Sequence, residues 1–318
     1  MQNHIFYTLS KTISEQIEAL YASCVETASG PALLGLALPE ADLLEEDTFY
    51  ALYYIEDTLV SFLSCFCPDG KTAEISGFTA PRFRNQGFFS CLLKEAQKEA
   101  RNLFGPVSFR FQCLLSDPDT TSFCKARNLA FAYSECMMAR QQKETDLNRV
   151  LSSPNALSAD LPVVRLLSTT KRKTLERLHE KAFFCSPEFS SLYINTVLTE
   201  ENTVSYVIKK AKHPEAQDVL SASQDVVGLF HLSFQKFKTS GHQSGNERKQ
   251  MVYLTGLGIL PGYRRQGFAE AALRSLFSLL PKNSRLILQV ATSNKAAFSL
   301  YRKLDFEISS RLDYVSSI

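Results

Sequence analysis

The stretch MVYLTGLGILPGYRRQGFAEAALRSLF, residues 251–277, decides the fold that we predict for this chain. Its first ten residues are mainly apolar, which is typical of a buried strand. Apolar residues from Phe268 to Leu280 then fall on one helical face, which predicts an amphipathic helix. The turn R-R-Q-G-F-A at 264–269 therefore connects the end of a strand to the start of a helix.

This turn predicts a phosphate-binding arrangement. The first N–H groups of a helix lack partners within the helix and its dipole is positive there, so an anion is stabilised. Gly267 lets the backbone approach a ligand that a Cβ would block, and Arg264 and Arg265 add charge that suits phosphate. A single glycine before a helix is a weak signal, because it is often only part of a turn.

The chain carries this pattern twice. Residues 81–88 read PRFRNQGF and residues 261–268 read PGYRRQGF, so proline, arginine, glutamine, glycine and phenylalanine recur in register. A strand-like run precedes each copy, and a leucine follows in each helix, Leu93 and Leu273. An internal repeat in the same strand–turn–helix context predicts two domains of one kind.

The segment between the two copies has the composition of a linker. It reads QQKETDLNRVLSSPNALSAD, which is polar and contains Pro154. We therefore predict an N-terminal domain at 1–145, a linker at 146–160 and a C-terminal domain at 161–318. Strand and helix patterns are mixed in both halves, which predicts the α/β (α+β) class, with helices packed on a sheet.

Composition excludes several classes of protein. The 318 residues are 45% apolar and 21% charged, which is ordinary for a globular chain of two domains. The net charge of +2 is too small to suggest nucleic acid as the main partner. The opening MQNHIFYTLS shows no export signal, and no apolar run has the length of a membrane span. We therefore expect a cytoplasmic protein without a membrane partner.

The eight cysteines and five histidines do not predict a metal site. The close pair Cys65 and Cys67 lacks the C-x-x-C spacing of zinc sites, and the histidines form no ligand pattern. Without an export signal the compartment is reducing, so we expect buried free thiols.

The turn at 264–269 resembles the Q/R-x-x-G-x-G/A signature of the GNAT superfamily, the acetyl-CoA-dependent N-acyltransferases. The segment NKAAFSLYRKLDF at 294–306 is similar to the second cofactor segment of that family, with L-D-F in place of L-G-F. The resemblance covers nearly all of the second half and mainly residues 73–140 of the first. It implies two GNAT-like domains, each a mixed, twisted sheet flanked by helices and splayed open to admit the pantetheine arm.

The resemblance also implies a cofactor, acetyl-CoA as the acyl donor without a metal, whose pyrophosphate the turn would cradle. Asn294 would hydrogen-bond the cofactor or the adjacent backbone, and it could equally be a helix N-cap. The cofactor-binding residues implied in the second half are Leu257, Ile259, Arg264, Arg265, Gln266, Gly267, Phe268, Ala269 and Asn294, and those in the first half are Arg84, Gln86 and Gly87.

The implied reaction is direct attack of an amine on the thioester carbonyl. The amine must be neutral, and a lysine-like amine has a pKa near roughly 10.4, so a base or a desolvating pocket is required. A bulge in the strand 251–260 would aim a backbone N–H at the carbonyl oxygen. The family pattern places Tyr301 to protonate the leaving CoA thiolate, although an aromatic in such a helix could equally fill the core.

The sequence departs from the family pattern in both halves. The glutamate that often acts as base corresponds to Thr255, which cannot be a base at neutral pH. In the first half, Phe89 stands where a small residue is usual. Alignment of the later segments places Ala126 and Asp119 opposite the tyrosine and the asparagine of the second half. The second half is therefore the better candidate for acetyl-CoA chemistry.

Three other interpretations compete with this one. A non-catalytic module that binds CoA or a peptide is favoured by the missing glutamate. The second is a relative that transfers an aminoacyl group from tRNA, and the small net charge of this chain argues against it. The third is a dinucleotide-binding fold, and the absence of a G-x-G-x-x-G motif argues against it. The expected partner is a small-molecule or peptide amine. The glycine-rich segment 238–250 is either a hairpin tip or a substrate-side flap, and we favour the hairpin tip.

Overall fold

The computed structural model of the chain describes residues 2–25, 47–143, 161–211, 225–235, 250–281 and 283–317. The predicted linker at 146–160 and nearly all of the segment 238–250 lie outside these ranges. No helix within the described ranges is long and apolar enough to cross a membrane.

The first half of the chain forms six strands and three helices in its described part. They are β1 (Gln2–Phe6), α1 (Lys11–Val25), β2 (Thr48–Ile55), β3 (Thr58–Phe66), β4 (Thr72–Thr79), α2 (Phe88–Phe104), β5 (Ser108–Cys113), α3 (Pro118–Ala126) and β6 (Leu129–Gln141).

The second half of the chain repeats a similar alternation, again in its described part. Its elements are β7 (Val164–Ser168), α4 (Arg172–Phe183), α5 (Pro187–Thr199), β8 (Thr203–Lys210), β9 (Val226–Gln235), β10 (Met251–Ile259), α6 (Phe268–Leu279), β11 (Arg285–Ala291), α7 (Lys295–Lys303) and β12 (Glu307–Ser317). The predicted mixed α/β class is confirmed.

The chain folds into two compact units that do not follow chain order. The first unit comprises Met1–Met137, Ala291–Lys295 and Ile308–Ile318, and the second comprises Met138–Val290 and Ala296–Glu307. The C-terminal strand therefore belongs to the first unit. The predicted domain limits followed chain order and differ from this division there.

Each unit is built on a mixed sheet. In the first unit the strands lie in the order β1-β2-β3-β4-β5-β12-β6, and in the second they lie in the order β11-β10-β9-β8-β7. The pairs β4–β5 and β10–β11 are parallel, whereas β12 runs antiparallel to β5 and β9 runs antiparallel to β10. A crossover helix, α2 or α6, connects the strands of each parallel pair, as parallel pairing requires.

The helix that follows each turn buries the face that the sequence predicts. Burial of this apolar face holds each helix on its sheet. In α2 the buried residues are Leu92, Leu93, Ala96 and Ala100, while Phe89 is half-buried. In α6 they include Phe268, Ala272, Leu273, Leu276 and Phe277, and Leu280 just beyond the helix is buried as well.

The cysteines are free thiols, and most of them are buried as expected. Burial raises the pKa of Cys65 to about 12, so this thiol is inert at neutral pH. The expectation of burial is wrong for Cys91, which is exposed on α2, and Cys185 is half-buried. In the described part of the chain, no group of three or more metal-ligating side chains is positioned to hold a metal ion.

Candidate active site

The predicted turn of the second unit forms at the start of α6. A short 3-10 turn, Pro261–Tyr263, follows β10, and α6 then begins at Phe268. Arg265 and Gly267 both adopt left-handed backbone, with φ of 59° and 83°. Glycine adopts this conformation readily. The chain reverses here, and the first N–H groups of α6, which have no partners within the helix, lie next to the turn.

The two arginines of this turn play different parts. Arg264 donates from Nε to Ile259 O at 3.0 Å and from Nη2 to Ala182 O at 2.6 Å, and its guanidinium lies 4.9 Å from the Phe184 ring. These bonds anchor the turn to α4. The Arg265 side chain is exposed, so it is the guanidinium of the turn that is available to an anion from solvent.

Two residues that sequence reasoning missed lie against Gly267. A Cβ placed on Gly267 would stand 2.9 Å from Leu161 Cδ2 and 3.0 Å from Pro162 Cδ. The chain that leads into β7 therefore packs on the glycine of the turn. No local pattern signals this contact, because more than a hundred residues of sequence separate its partners.

The predicted bulge in strand 251–260 is confirmed. The register between β10 and β9 shifts between Thr255 and Gly258, and Gly256 within the bulge has a φ of 59°. The parallel pairing of β10 with β11 runs from Met251 to Leu254 and ends just before the bulge. A bulge disrupts the regular ladder of hydrogen bonds and leaves its extra residue without a partner on the neighbouring strand. The half-buried Leu257 and Ile259 lie on β10 beyond this point.

Tyr301 lies in the last turn of α7 and is 7% exposed. Burial raises the pKa of its hydroxyl to about 12, so it is protonated at neutral pH and able to donate a proton. Its ring centroid lies 5.6 Å from that of Phe306, so the residue also fills the core. Asn294 directly precedes α7 and belongs to the first unit, whereas Tyr301 belongs to the second.

A buried polar cluster lies where α4 and α5 pack on the sheet of the second unit. The His179 ring stacks on Tyr193 with 4.4 Å between centroids, and its Nδ1 lies 3.2 Å from Ser190 Oγ. Cys185 Sγ lies 3.4 Å from the same Nδ1. Tyr193 packs edge-on against His231 of β9 at 5.9 Å.

Both histidines of this cluster are electrically neutral at pH 7. Burial lowers the pKa of His179 and that of His231 to about 4, because a charged imidazole loses its hydration in the packed interior. The sequence carries one signal of this cluster. His231 interrupts the apolar run V-V-G-L-F-H-L, and a polar residue buried in such a run needs a hydrogen-bond partner.

We expect the protein to lose stability as the pH falls from about 6.5 to about 4, and His231→Gln to remove part of that loss. The pKa of His231 is about 4 in the fold against an ordinary 6.5, so in this window the unfolded chain binds a proton that the folded chain does not. The free energy of unfolding then decreases by on the order of 3 kcal/mol for this group. The measurement is the Tm of both proteins at pH 8 and pH 4.5. An equal Tm difference at both pH values would contradict the expectation.

The turn of the first unit has the same backbone but a different environment. Asn85 and Gly87 are left-handed, with φ of 60° and 85°, and no described atom lies within 4 Å of a Cβ placed on Gly87. Arg84 donates to Thr79 O at 3.3 Å and pairs with Asp119 at 3.2 Å. This pairing uses the aspartate that stands where the second half has an asparagine.

A cavity of about 250 Å³ opens beside this turn, between the ends of β4 and β5. The parallel pairing of β4 with β5 ends at Ile75 and Phe111, and the cavity begins there. The Phe89 ring lies against β4, because a Cβ on Gly77 would stand 2.8 Å from Phe89 Cε2. The bulky residue thus occupies space along the strand that a small residue would leave open.

Comparison with solved structures identifies the fold. A GCN5-related N-acetyltransferase from Sphaerobacter thermophilus is 15% identical, with a TM-score of 0.69 over 99% of this chain and 95% of that chain. A tandem GNAT protein from the clavulanic acid biosynthesis pathway is 16% identical, with a TM-score of 0.64 over 99% of this chain and 98% of that chain. At these identities the likeness shows the fold, which is that of two GNAT-like domains in one chain.

The family follows from the sequence of the second half. Residues 175–306 match the model of the acetyltransferase (GNAT) family. The resemblance stated from the sequence is confirmed. A search of curated proteins finds no match to this chain.

Proposed function

We propose that this chain transfers an acetyl group from acetyl-CoA to a primary amine and that the second unit carries the reaction. The observation that supports this proposal best is the arrangement of β10, in which a bulge at the parting of two parallel strands leads into a left-handed turn at the start of α6. The bulge offers a backbone N–H to a thioester oxygen, and the helix start offers N–H groups to a pyrophosphate.

In this proposal the residues of the turn and Tyr301 have defined tasks. Arg265 and the N–H groups from Gly267 to Ala269 bind the pyrophosphate, while Arg264 and Gln266 hold the turn through bonds to backbone carbonyls. The neutral amine attacks the thioester carbon, the bulge stabilises the oxyanion, and Tyr301 protonates the departing CoA thiolate. Acetyl-CoA supplies the activated acyl group.

The acceptor class and the compartment are also proposed. The acceptor is a small-molecule or peptide primary amine, because GNAT enzymes act on such acceptors and the net charge of +2 does not suit nucleic acid. Free, mostly buried thiols fit the reducing cytoplasm.

A non-catalytic module that binds CoA or a peptide is the second candidate. The packing of Leu161 and Pro162 on Gly267 favours it, because these side chains restrict approach to the turn. Incubation of the full chain with acetyl-CoA and a panel of primary amines, with release of free CoA as the signal, separates the two. Tight acetyl-CoA binding without CoA release from any amine would support the binding module.

We expect the second unit to bind acetyl-CoA more tightly than the first. Ala269 is a small residue at the turn of the second unit, whereas the Phe89 ring lies along β4 in the first. The turns offer a matched pair of variants, since Arg265 and Asn85 occupy the same left-handed position. By calorimetry, Arg265→Glu should weaken the tighter site about tenfold or more, because a charged hydrogen bond to phosphate is lost, and Asn85→Glu should not.

The stoichiometry of the same titration tests the asymmetry directly. Two equivalent sites per chain would contradict the asymmetry. A tighter site that responds to Asn85→Glu instead of Arg265→Glu would show that the first unit is the better cofactor site.

A further inference from the structure

A row of three polar residues crosses the sheet of the second unit at the bulge. Ser205 on β8, His231 on β9 and Thr255 on β10 are paired in register. Ser205 Oγ lies 2.9 Å from His231 Nδ1. The other ring nitrogen, Nε2, has no hydrogen-bond partner among the described residues, although the side chain is completely buried. A buried polar atom without a partner is costly, which indicates that it serves another state of the site.

The unpartnered nitrogen lies beside the backbone of the bulge. The point where a Cβ would stand on Gly256 is 3.3 Å from His231 Nε2 and 2.9 Å from Tyr193 Oη. Tyr193 is also hydrogen-bonded to the side chain of Thr255, which is exposed. A series of exchangeable groups therefore leads from the surface at Thr255 through Tyr193 toward His231.

Resting on the proposed acetyl transfer, we propose that Thr255, Tyr193 and His231 form a relay that takes the proton lost by the acceptor amine. The relay replaces the carboxylate that position 255 lacks. Thr255 is the member that touches the amine, and Tyr193 and His231 act through it. The contact between Tyr193 Oη and His231 Nε2 closes in the reactive complex, as catalytic hydrogen bonds commonly tighten when substrate is bound.

The proton and electron pairs balance through the relay. The amine nitrogen first forms its bond to the thioester carbon, and the carbonyl π electrons move to the oxygen. An N–H bond of the resulting ammonium then breaks, its electron pair stays on nitrogen, and the proton goes to Thr255 Oγ1. Thr255 gives its own proton to Tyr193 Oη, and Tyr193 gives its own to His231 Nε2. The C–S bond then breaks and Tyr301 protonates the thiolate. Tyr193 is neutral again at this point. The His231 imidazolium then loses a proton to solvent and the Tyr301 tyrosinate takes one from solvent, which restores both groups.

The surroundings keep the receiving group neutral before reaction. Burial and the neighbouring His179 both lower the pKa of His231, so its imidazole can accept a proton at pH 7. Burial raises the pKa of Tyr193, and this effect outweighs the lowering by the hydrogen bond with Thr255, so the hydroxyl stays protonated. An imidazole of low basicity is suited to a proton released late, from the acidic ammonium of the tetrahedral adduct.

The test uses full-length His231→Gln and Tyr193→Phe with benzylamine and aniline as acceptors at pH 7.5. We expect each variant to lose roughly a hundredfold in kcat with benzylamine, whose proton needs a base, and only a few-fold with aniline. The KM for acetyl-CoA should not change. The double variant should be no slower than either single variant, because relay members act as a unit. Tyr193→Phe keeps the ring and provides the test if His231→Gln does not fold.

A rescue variant distinguishes proton transfer from packing. Thr255→Glu introduced into His231→Gln should restore much of the benzylamine turnover, because it supplies a carboxylate at an exposed position of the bulge. Equal losses with both amines, or wild-type turnover in both single variants, would overturn the relay and leave the proposed function standing. A wild-type protein that binds acetyl-CoA and releases CoA with no amine of the panel, benzylamine and aniline included, would overturn the proposed function and the relay together.

Discussion

Replacement of Tyr301 by phenylalanine is expected to lower kcat by roughly a hundredfold to ten-thousandfold and to leave acetyl-CoA affinity unchanged. The hydroxyl is protonated at neutral pH, because burial raises its pKa to about 12, and it is the group proposed to protonate the thiolate. Its ring packs with Phe306, and the phenylalanine variant retains that ring volume. Steady-state kinetics with any accepted amine, together with calorimetry, measure the two effects.

A second tyrosine provides a matched control for this substitution. Tyr50 lies on β2 of the first unit, is buried, and also has a pKa raised to about 12 by burial. Tyr50→Phe removes the same atom from a similar environment and should leave kcat unchanged. Wild-type turnover in the Tyr301→Phe protein would remove this hydroxyl from the mechanism and leave the residue a core-filling aromatic.

The second large effect is expected from Gly267→Asp, which should weaken acetyl-CoA binding by at least roughly a hundredfold. A carboxylate would stand at the start of α6, where the pyrophosphate is proposed to bind. Two like unit charges about 4 Å apart near a protein surface repel by about 4 kcal/mol, and each 1.4 kcal/mol is tenfold in Kd.

The structure supplies the control that this experiment needs. Gly267 is left-handed, and any side chain there meets Leu161 and Pro162, so strain and crowding accompany the added charge. Gly267→Asn has nearly the same shape, and asparagine tolerates left-handed backbone. The difference between the two variants therefore isolates the charge. Equal affinities for the Asp and Asn proteins would show that no phosphate lies beside this turn.

Those parts of the fold that depend on local pattern could be predicted from the sequence. The apolar face of α6 and the repeated turns at 84–89 and 264–269 lie within short stretches whose spacing fixes their structure. The left-handed Gly267 was also predictable, because a turn that reverses the chain into a helix favours glycine. The bulge in β10 was expected from the family resemblance, and the strand shows it.

Other parts of the candidate site could not be predicted, because they depend on residues far apart in the chain. The hydrogen bond from Arg264 to Ala182 O joins residues 82 positions apart in the chain. The packing of Leu161 on Gly267 joins residues more than a hundred positions apart. The sequence shows that Phe89 is larger than the small residue usual at its position. Its contact with Gly77 is visible only in the structure, because it depends on how α2 packs on β4.

The sequence by itself determined the two strand–turn–helix units and their resemblance to the GNAT signature, since hydrophobic spacing and turn residues act over a few neighbours. Only the tertiary structure decided that β12 joins the first unit and that His231, Tyr193 and Thr255 meet at one bulge. Strand order and side-chain meeting points follow from the burial of apolar faces across the whole chain. The periodicity of one segment does not indicate which distant segment will pack against it.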